Sequence, residues 1–288
     1  MGRARFALAT GALSLDAVVE AAREAERLGY EAVLVGEARL EADAFVTAAA
    51  VLQATGRVRC GPGIANVHDR TAVALARGAA SLDRLAPARA LLGIGRGDGA
   101  HVTHAALEQA VRTCRALLGG QSAGDIPPAP ERARAQHPVP LLLAAVGPRT
   151  LQLAGALADG VLLNYGAPPE YVRWAVAQLR EGAERAGRDA EAIDVYAYLF
   201  AARSDTPDAR RRLASLAGEL EQLHAEPDQG RWLAAPAGGP PQAWDAEALR
   251  RFAVVGTREE CLARIEEYRD AGARCPVLMP SAMRALHA

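Results

Sequence analysis

Five short stretches of this 288-residue sequence hold residue types that bind phosphate or move protons, and each follows an apolar run. Gly36-Glu37 comes after Ala32-Val33-Leu34-Val35, and Gly63-Ile64-Ala65-Asn66 ends a run that starts at Val58. Gly95-Arg96-Gly97-Asp98 follows the run 90–94, Val146-Gly147-Pro148-Arg149-Thr150 follows 140–145, and Asn164-Tyr165 follows Val161-Leu162-Leu163. Glu37 and Asp98 are carboxylates able to serve as general acid or base. Arg96 presents a planar fork that suits a phosphate, and equally suits pairing with Asp98 or Glu37. Gly95 and Gly97 let a planar ring or a phosphate come close to the backbone. At Gly147-Pro148-Arg149-Thr150 a strand gives way to a helix, where free N–H groups and the helix dipole attract an anion. The Thr150 hydroxyl serves either that anion or the helix cap.

Several other chemistries are excluded or only faintly signalled. All 33 basic residues are arginine, so Schiff-base chemistry through lysine is excluded. His101 and His104 stand three residues apart, but no third ligand is placed near them and no metal site is expected. Cys60, Cys114, Cys261 and Cys275 form no C-x-x-C pair and read as core thiols. A formal net charge of -1 gives no long-range pull toward nucleic acid or an anionic membrane. No stretch approaches the ~20 apolar residues of a membrane span, and no signal-peptide pattern opens the chain. The expectation is a cytoplasmic protein acting on a small molecule. His68 and Arg70 either contact a ligand's tail or cap a helix, while Trp174, Trp232 and Trp244 are packing or lid residues.

The elements that must position these residues alternate between short apolar strands and amphipathic helices. Strands are predicted over 5–9, 32–35, 58–64, 90–94, 140–145, 161–163, 193–200 and 276–279. Helices are predicted after caps at Ser14, Asp43 and Thr257, and over 72–85, 105–118, 150–157, 169–186 and 208–223. Eight β/α units predict an α/β fold, a closed (β/α)8 TIM barrel spanning 1–288 as one domain, with an open doubly wound sheet as the rival. In a barrel the active site lies at the carboxyl ends of the strands, where all five stretches fall. The segment from Pro227 to Pro241 is either a lid or a plain surface connection.

These residues, in this order, resemble the bacterial luciferase-like superfamily of FMN- and coenzyme F420-dependent oxidoreductases. The resemblance rests on the stretches 21–30, 57–66, 80–85, 92–98 and 255–261, and most specifically on Gly147-Pro148-Arg149-Thr150-Leu151-Gln152-Leu153-Ala154-Gly155 continuing through Ala158-Asp159-Gly160 to Asn164. It implies a TIM barrel with a flavin or deazaflavin across the mouth, and a non-prolyl cis peptide at Gly63–Ile64 against the ring. Val146, Gly147 and Thr150 match the phosphate site of relatives, Arg96 matches a phosphate-binding arginine, and Asp98 matches a proton donor of some F420 enzymes. One departure stands out: relatives often follow the acid of strand two with histidine, whereas Glu37 precedes Ala38. The implied function is F420-dependent hydride transfer to or from a C=C, C=N or C=O bond. The alternatives are an FMN-dependent monooxygenase and a non-catalytic flavin-binding accessory protein. Relatives commonly dimerise, which leaves room for a homodimer here.

Overall fold

Alternation with a period of two sorts the strand residues into two environments. Ala7, Ala9, Ala32, Leu34, Leu142, Leu162, Tyr196 and Val277 form one buried cluster, and their sequence neighbours Leu8, Val33, Leu143, Val161, Val195 and Leu278 join another that includes the helices. A sheet buried on both faces in this way must be wrapped by helices outside and filled by its own side chains inside. The computed structural model describes residues 5–11, 13–37, 42–97, 102–227, 229–279 and 286.

The chain runs β1 (Ala7–Ala9), α1 (Leu15–Leu28), β2 (Ala32–Val35), α2 (Ala44–Ala54), β3 (Arg59–Pro62), β4 (Ala65–Asn66), α3 (Ala72–Leu85), β5 (Leu92–Gly95), α4 (His104–Leu118), β6 (Leu141–Ala145), α5 (Pro148–Leu157), β7 (Gly160–Leu163) and α6 (Pro169–Arg185). It continues through β8 (Asp194–Tyr198), β9 (Ala201–Arg203), α7 (Ala209–Ala225), α8 (Gly230–Ala234), α9 (Ala246–Phe252), β10 (Val254–Gly256), α10 (Arg258–Asp270) and β11 (Cys275–Leu278). Nine strands form one parallel sheet in the order β3-β2-β1-β11-β8-β7-β6-β5-β4. The two edges, β3 and β4, are halves of one barrel strand separated by Gly63-Ile64. The sheet also closes on the β3 side: Cys60 bridges Ala90 in parallel, with Cys60 N–H donating to Arg89 O at 2.8 Å and Leu91 N–H to Cys60 O at 3.1 Å. Closure removes the open-sheet rival. Gly61 sits on this seam, where an added Cβ would lie 1.9 Å from the Leu91 carbonyl oxygen.

The N-terminal end of the barrel is tied by charge. The Arg5 guanidinium reaches Glu31 at 2.5 Å and Asp194 at 2.6 Å, and Arg59 reaches Glu31 at 3.2 Å and the Tyr196 hydroxyl at 3.1 Å. Most caps follow the sequence expectation. Asp43 accepts from the N–H groups of Phe45 and Val46, and Thr257 with Glu260 completes a capping box. Ser14 occupies the cap position of α1 but its side chain makes no cap hydrogen bond.

Three expectations are corrected. The third strand, predicted unbroken over 58–64, is interrupted at Gly63-Ile64. The seventh, predicted over 193–200, splits into β8 and β9, because β9 leaves the barrel to pair with β10. That parallel pair, with α7, α8 and α9, builds a separate small core around Leu216, Leu220, Leu249 and Phe252, and the segment read as lid or loop holds α8.

Candidate active site

Parallel strands put all their carboxyl ends on one face. There β4, β5, β6 and β7 are consecutive neighbours, in registers Ala65↔Ile94, Ile94↔Leu143 and Ala145↔Leu163. Asn66, Gly95-Arg96-Gly97, Val146-Gly147-Pro148-Arg149-Thr150 and Asn164 are therefore brought side by side. The helices that follow β5 and β6 also touch at their starts, since His104 Nε2 lies 3.2 Å from the Arg149 carbonyl oxygen. Inside the barrel Leu34, Leu91, Leu142 and Leu162 are buried, whereas Ile64, Ala144, Tyr198 and Met279, packed against the same cluster, are only partly so. Small residues let this layer pack closely. An added Cβ on Gly95 would lie 2.4 Å from Ile64 Cδ1 and 3.0 Å from Ala144 Cβ.

The peptide Gly63–Ile64 is cis, as the resemblance implied. The Tyr198 hydroxyl donates to Gly63 O at 2.7 Å, and the Gly63 N–H donates to Val35 O at 2.7 Å, so the bulge is held from two sides. Sequence reading missed Tyr198. Its signal was an inward-facing tyrosine at the carboxyl end of a barrel strand. Desolvation pushes its phenol well above the ordinary range, so it acts as a neutral donor.

Glu37 is 10% exposed and committed on both oxygens. Oε1 accepts from Arg70 Nε at 2.8 Å, and Oε2 accepts from the Asn66 backbone N–H at 3.1 Å. Asn66 Nδ2 in turn reaches Glu37 O at 3.4 Å. Arg70 extends to Asp43 at 2.6 Å, an ion-pair link from the ends of β2 and β4 to the start of α2 that neither of its two readings anticipated. Its guanidinium is held still more firmly protonated, chiefly by the Glu37 hydrogen bond. With Asp98 outside the described residues and Glu37 taken by Arg70 and Asn66, Arg96 pairs with no described carboxylate. It is exposed, and its closest contact is Val102 O at 3.5 Å.

Helix α5 begins one residue after Gly147, which is its N-cap and has no side chain to cap with. This corrects the reading of Thr150 as the cap: Thr150 lies two residues inside the helix, with its N–H on Gly147 O at 3.2 Å. Trp232 from α8 covers Gly147, its Nε1 lying 3.1 Å from where a Cβ would be. The Val146 carbonyl accepts from the buried Tyr171 hydroxyl at 2.7 Å. Asn164 Nδ2 donates to Gln229 Oε1 at 2.5 Å. Asp98, His101 and Ala38 lie outside the described residues.

Other potential chemistry is silent. All four cysteines are buried, and burial raises the Cys114 thiol to about 12 and Cys261 to about 11. No metal-binding group of His, Cys, Asp or Glu occurs among the described residues. Gly120-Gln121-Ser122-Ala123-Gly124 has the spacing of a hydrolase nucleophile elbow, but it follows α4 rather than a strand, and Ser122 is exposed on the opposite end of the barrel. No helix among the described residues is long and apolar enough to cross a membrane.

Residues 2–275 match the family model described as luciferase-like monooxygenase. The 5,10-methylenetetrahydromethanopterin reductase of Methanolobus tindarius is 28% identical over 281 residues, covering 87% of this chain and 86% of that protein. The F420-dependent glucose-6-phosphate dehydrogenase of Tsukamurella paurometabola is 25% identical over 258 residues, covering 78% and 73%. Among solved structures, the coenzyme F420 dependent tetrahydromethanopterin reductase from Methanopyrus kandleri superposes with a TM-score of 0.75 at 22% identity, covering 99% of this chain and 96% of that one, and so shares its fold.

Proposed function

The chain belongs to the luciferase-like monooxygenase family, and from that premise we propose that it is a coenzyme F420-dependent oxidoreductase acting on a small molecule. The observation that carries this reading is the side-by-side placement of the carboxyl ends of β4 to β7 around small and apolar residues, Gly95, Ile64 and Ala144. A flat ring system needs such a floor. A phosphorylated tail needs donors beside it, and Arg96, Arg149 and the start of α5 supply them. A planar guanidinium at either position suits a phosphate. Gly95 keeps this floor flat, because an added Cβ would press on Ile64 and Ala144. Sequence similarity to an F420-dependent dehydrogenase over 78% of the chain favours the deazaflavin over FMN.

When bound, the deazaflavin supplies or accepts a hydride at C5, opposite a C=C, C=N or C=O carbon of the substrate. The residues of this chain do the rest. Gly63, Ile64, Gly95 and Gly97 bed the ring. Val146, Gly147, Arg149, Thr150 and Arg96 hold the phosphate end, and Asn66 and Asn164 bound the two sides of the mouth. Tyr198 and Glu37 fix the bulge and Asn66 and so orient the ring's floor. Asp98 is the proton donor of this reading. Holding the reacting carbons within ~3–3.5 Å is the main service such a site renders.

Titrating the protein with F420 and with FMN tests this. Saturable binding of F420, followed through its absorption near ~420 nm, is expected, with weaker binding of FMN near ~450 nm. Tight FMN binding with oxygen consumption would favour the monooxygenase, and binding of neither would overturn the reading.

A further inference from the structure

The small core outside the barrel reaches back over the mouth at three points. His224 of α7 places Nε2 2.8 Å from the Gly166 carbonyl, just beyond β7. Gln229 accepts the Asn164 amide at 2.5 Å. Trp232 of α8 lies over Gly147 while its face stacks on Trp174 of α6, with centroids 5.8 Å apart and planes 11° from parallel. The last two contacts fall on residues that the proposed function gives to the cofactor. Helix α8 has only five residues, too few to hold a helical shape without tertiary contacts. Tertiary contacts, these three and the buried Leu233 and Ala234 among them, hold α8 and with it Trp232.

We propose that Trp232 is a positioning residue for the cofactor: a roof over the phosphate end that retains the bound molecule. This rests on the reading of the mouth given above. Glycine at 147 is explained by the indole, since a Cβ there would press on Nε1 at 3.1 Å, tighter than ordinary van der Waals contact. An anion seated at the start of α5 meets an indole edge and its N–H donor in place of bulk water, and excluding water strengthens every charge interaction beneath the roof. Arg231 adds to the roof's charge, its guanidinium stacked over the Trp232 ring at 4.6 Å. A flat aromatic roof clamped from behind by Trp174 impedes departure of the ligand more than its arrival.

The test measures association and dissociation rates of F420 by stopped-flow fluorescence for the wild type, Trp232→Ala, Trp232→Phe and Gly147→Ala, with thermal melting of each. Trp232→Ala is expected to speed dissociation about tenfold while association changes far less. Trp232→Phe, which keeps a ring, is expected to recover most of the slow dissociation, and Gly147→Ala, which displaces the indole, to lose it. A merely structural tryptophan would lower the melting temperature without this split between rates. Unchanged dissociation in Trp232→Ala and Gly147→Ala overturns the proposal, and if Trp232→Ala fails to fold, Gly147→Ala decides alone. Failure of the wild type to bind F420 or FMN is a separate result, seen before any variant is made, and it removes the proposed function itself.

Discussion

At the scale of single residues, the carboxylates divide by environment. Glu37 has a catalytic type and a catalytic address, yet its oxygens are taken by Arg70 and the Asn66 N–H. A carboxylate held this way is placed to orient the backbone. Glu37→Gln keeps the shape and loses the charged hydrogen bonds to Arg70, so a stability loss of about 1–2 kcal/mol is expected, measured by urea denaturation. Turnover should stay within a few-fold of wild type; a loss of ~10²-fold or more with unchanged stability would instead make Glu37 the acid or base. Asp98→Asn should show the opposite pattern, lowering kcat while F420 affinity and melting temperature hold. Arg96→Ala should weaken F420 binding about tenfold, the usual worth of a charge-assisted hydrogen bond to phosphate.

At the scale of elements, the demanding joint is the seam where β3 meets the segment leading into β5. Backbone passes so close at Gly61 that a Cβ would lie 1.9 Å from the Leu91 oxygen, and no side-chain rotation relieves a clash with backbone. Gly61→Ala should therefore cost at least ~1–3 kcal/mol, visible as a lower urea midpoint. Helix starts are more forgiving. Thr257→Ala removes one half of the capping box of α10, where Thr257 accepts from Glu260 N–H at 3.3 Å, and should cost ~1 kcal/mol without affecting cofactor binding. An equal loss in the two variants would show that the barrel relaxes at its seam.

At the scale of the whole molecule, the buried and half-buried charges give stability a direction with pH. Desolvation would raise Asp194 and Glu26, but Arg5 outweighs it at Asp194, and the N–H groups of Arg57, Val58 and Gly56 outweigh it at Glu26, so both carboxyls sit below their ordinary values. Groups lowered on folding contribute stability above their unfolded pKa and lose it as pH falls through the folded one, here below about 4. His224 is also lowered, by burial against the opposing pull of the Gly166 carbonyl, and its Nδ1 is buried without a partner. The folded state then binds fewer protons than the unfolded chain below about 6.5, and stability falls there too. Melting temperature should drop in two stages on acidification, and His224→Gln should remove the upper one. A flat profile between pH 7 and 5 in the wild type would contradict the buried neutral imidazole.

The barrel was legible from residue order alone because alternation of apolar strands with amphipathic helices is local. So is the glycine-rich, arginine-bearing character of the strand ends, whereas the cis peptide at Gly63–Ile64 was implied by the family resemblance alone. Those are properties of a few consecutive residues. What Glu37 pairs with, why residue 147 is glycine, and where β9 goes depend on partners 33, 85 and 53 positions away, Arg70, Trp232 and Val254. Spacing along the chain carries no information about such contacts. They follow from how a closed barrel brings neighbouring strand ends together and how the outer core folds back across them.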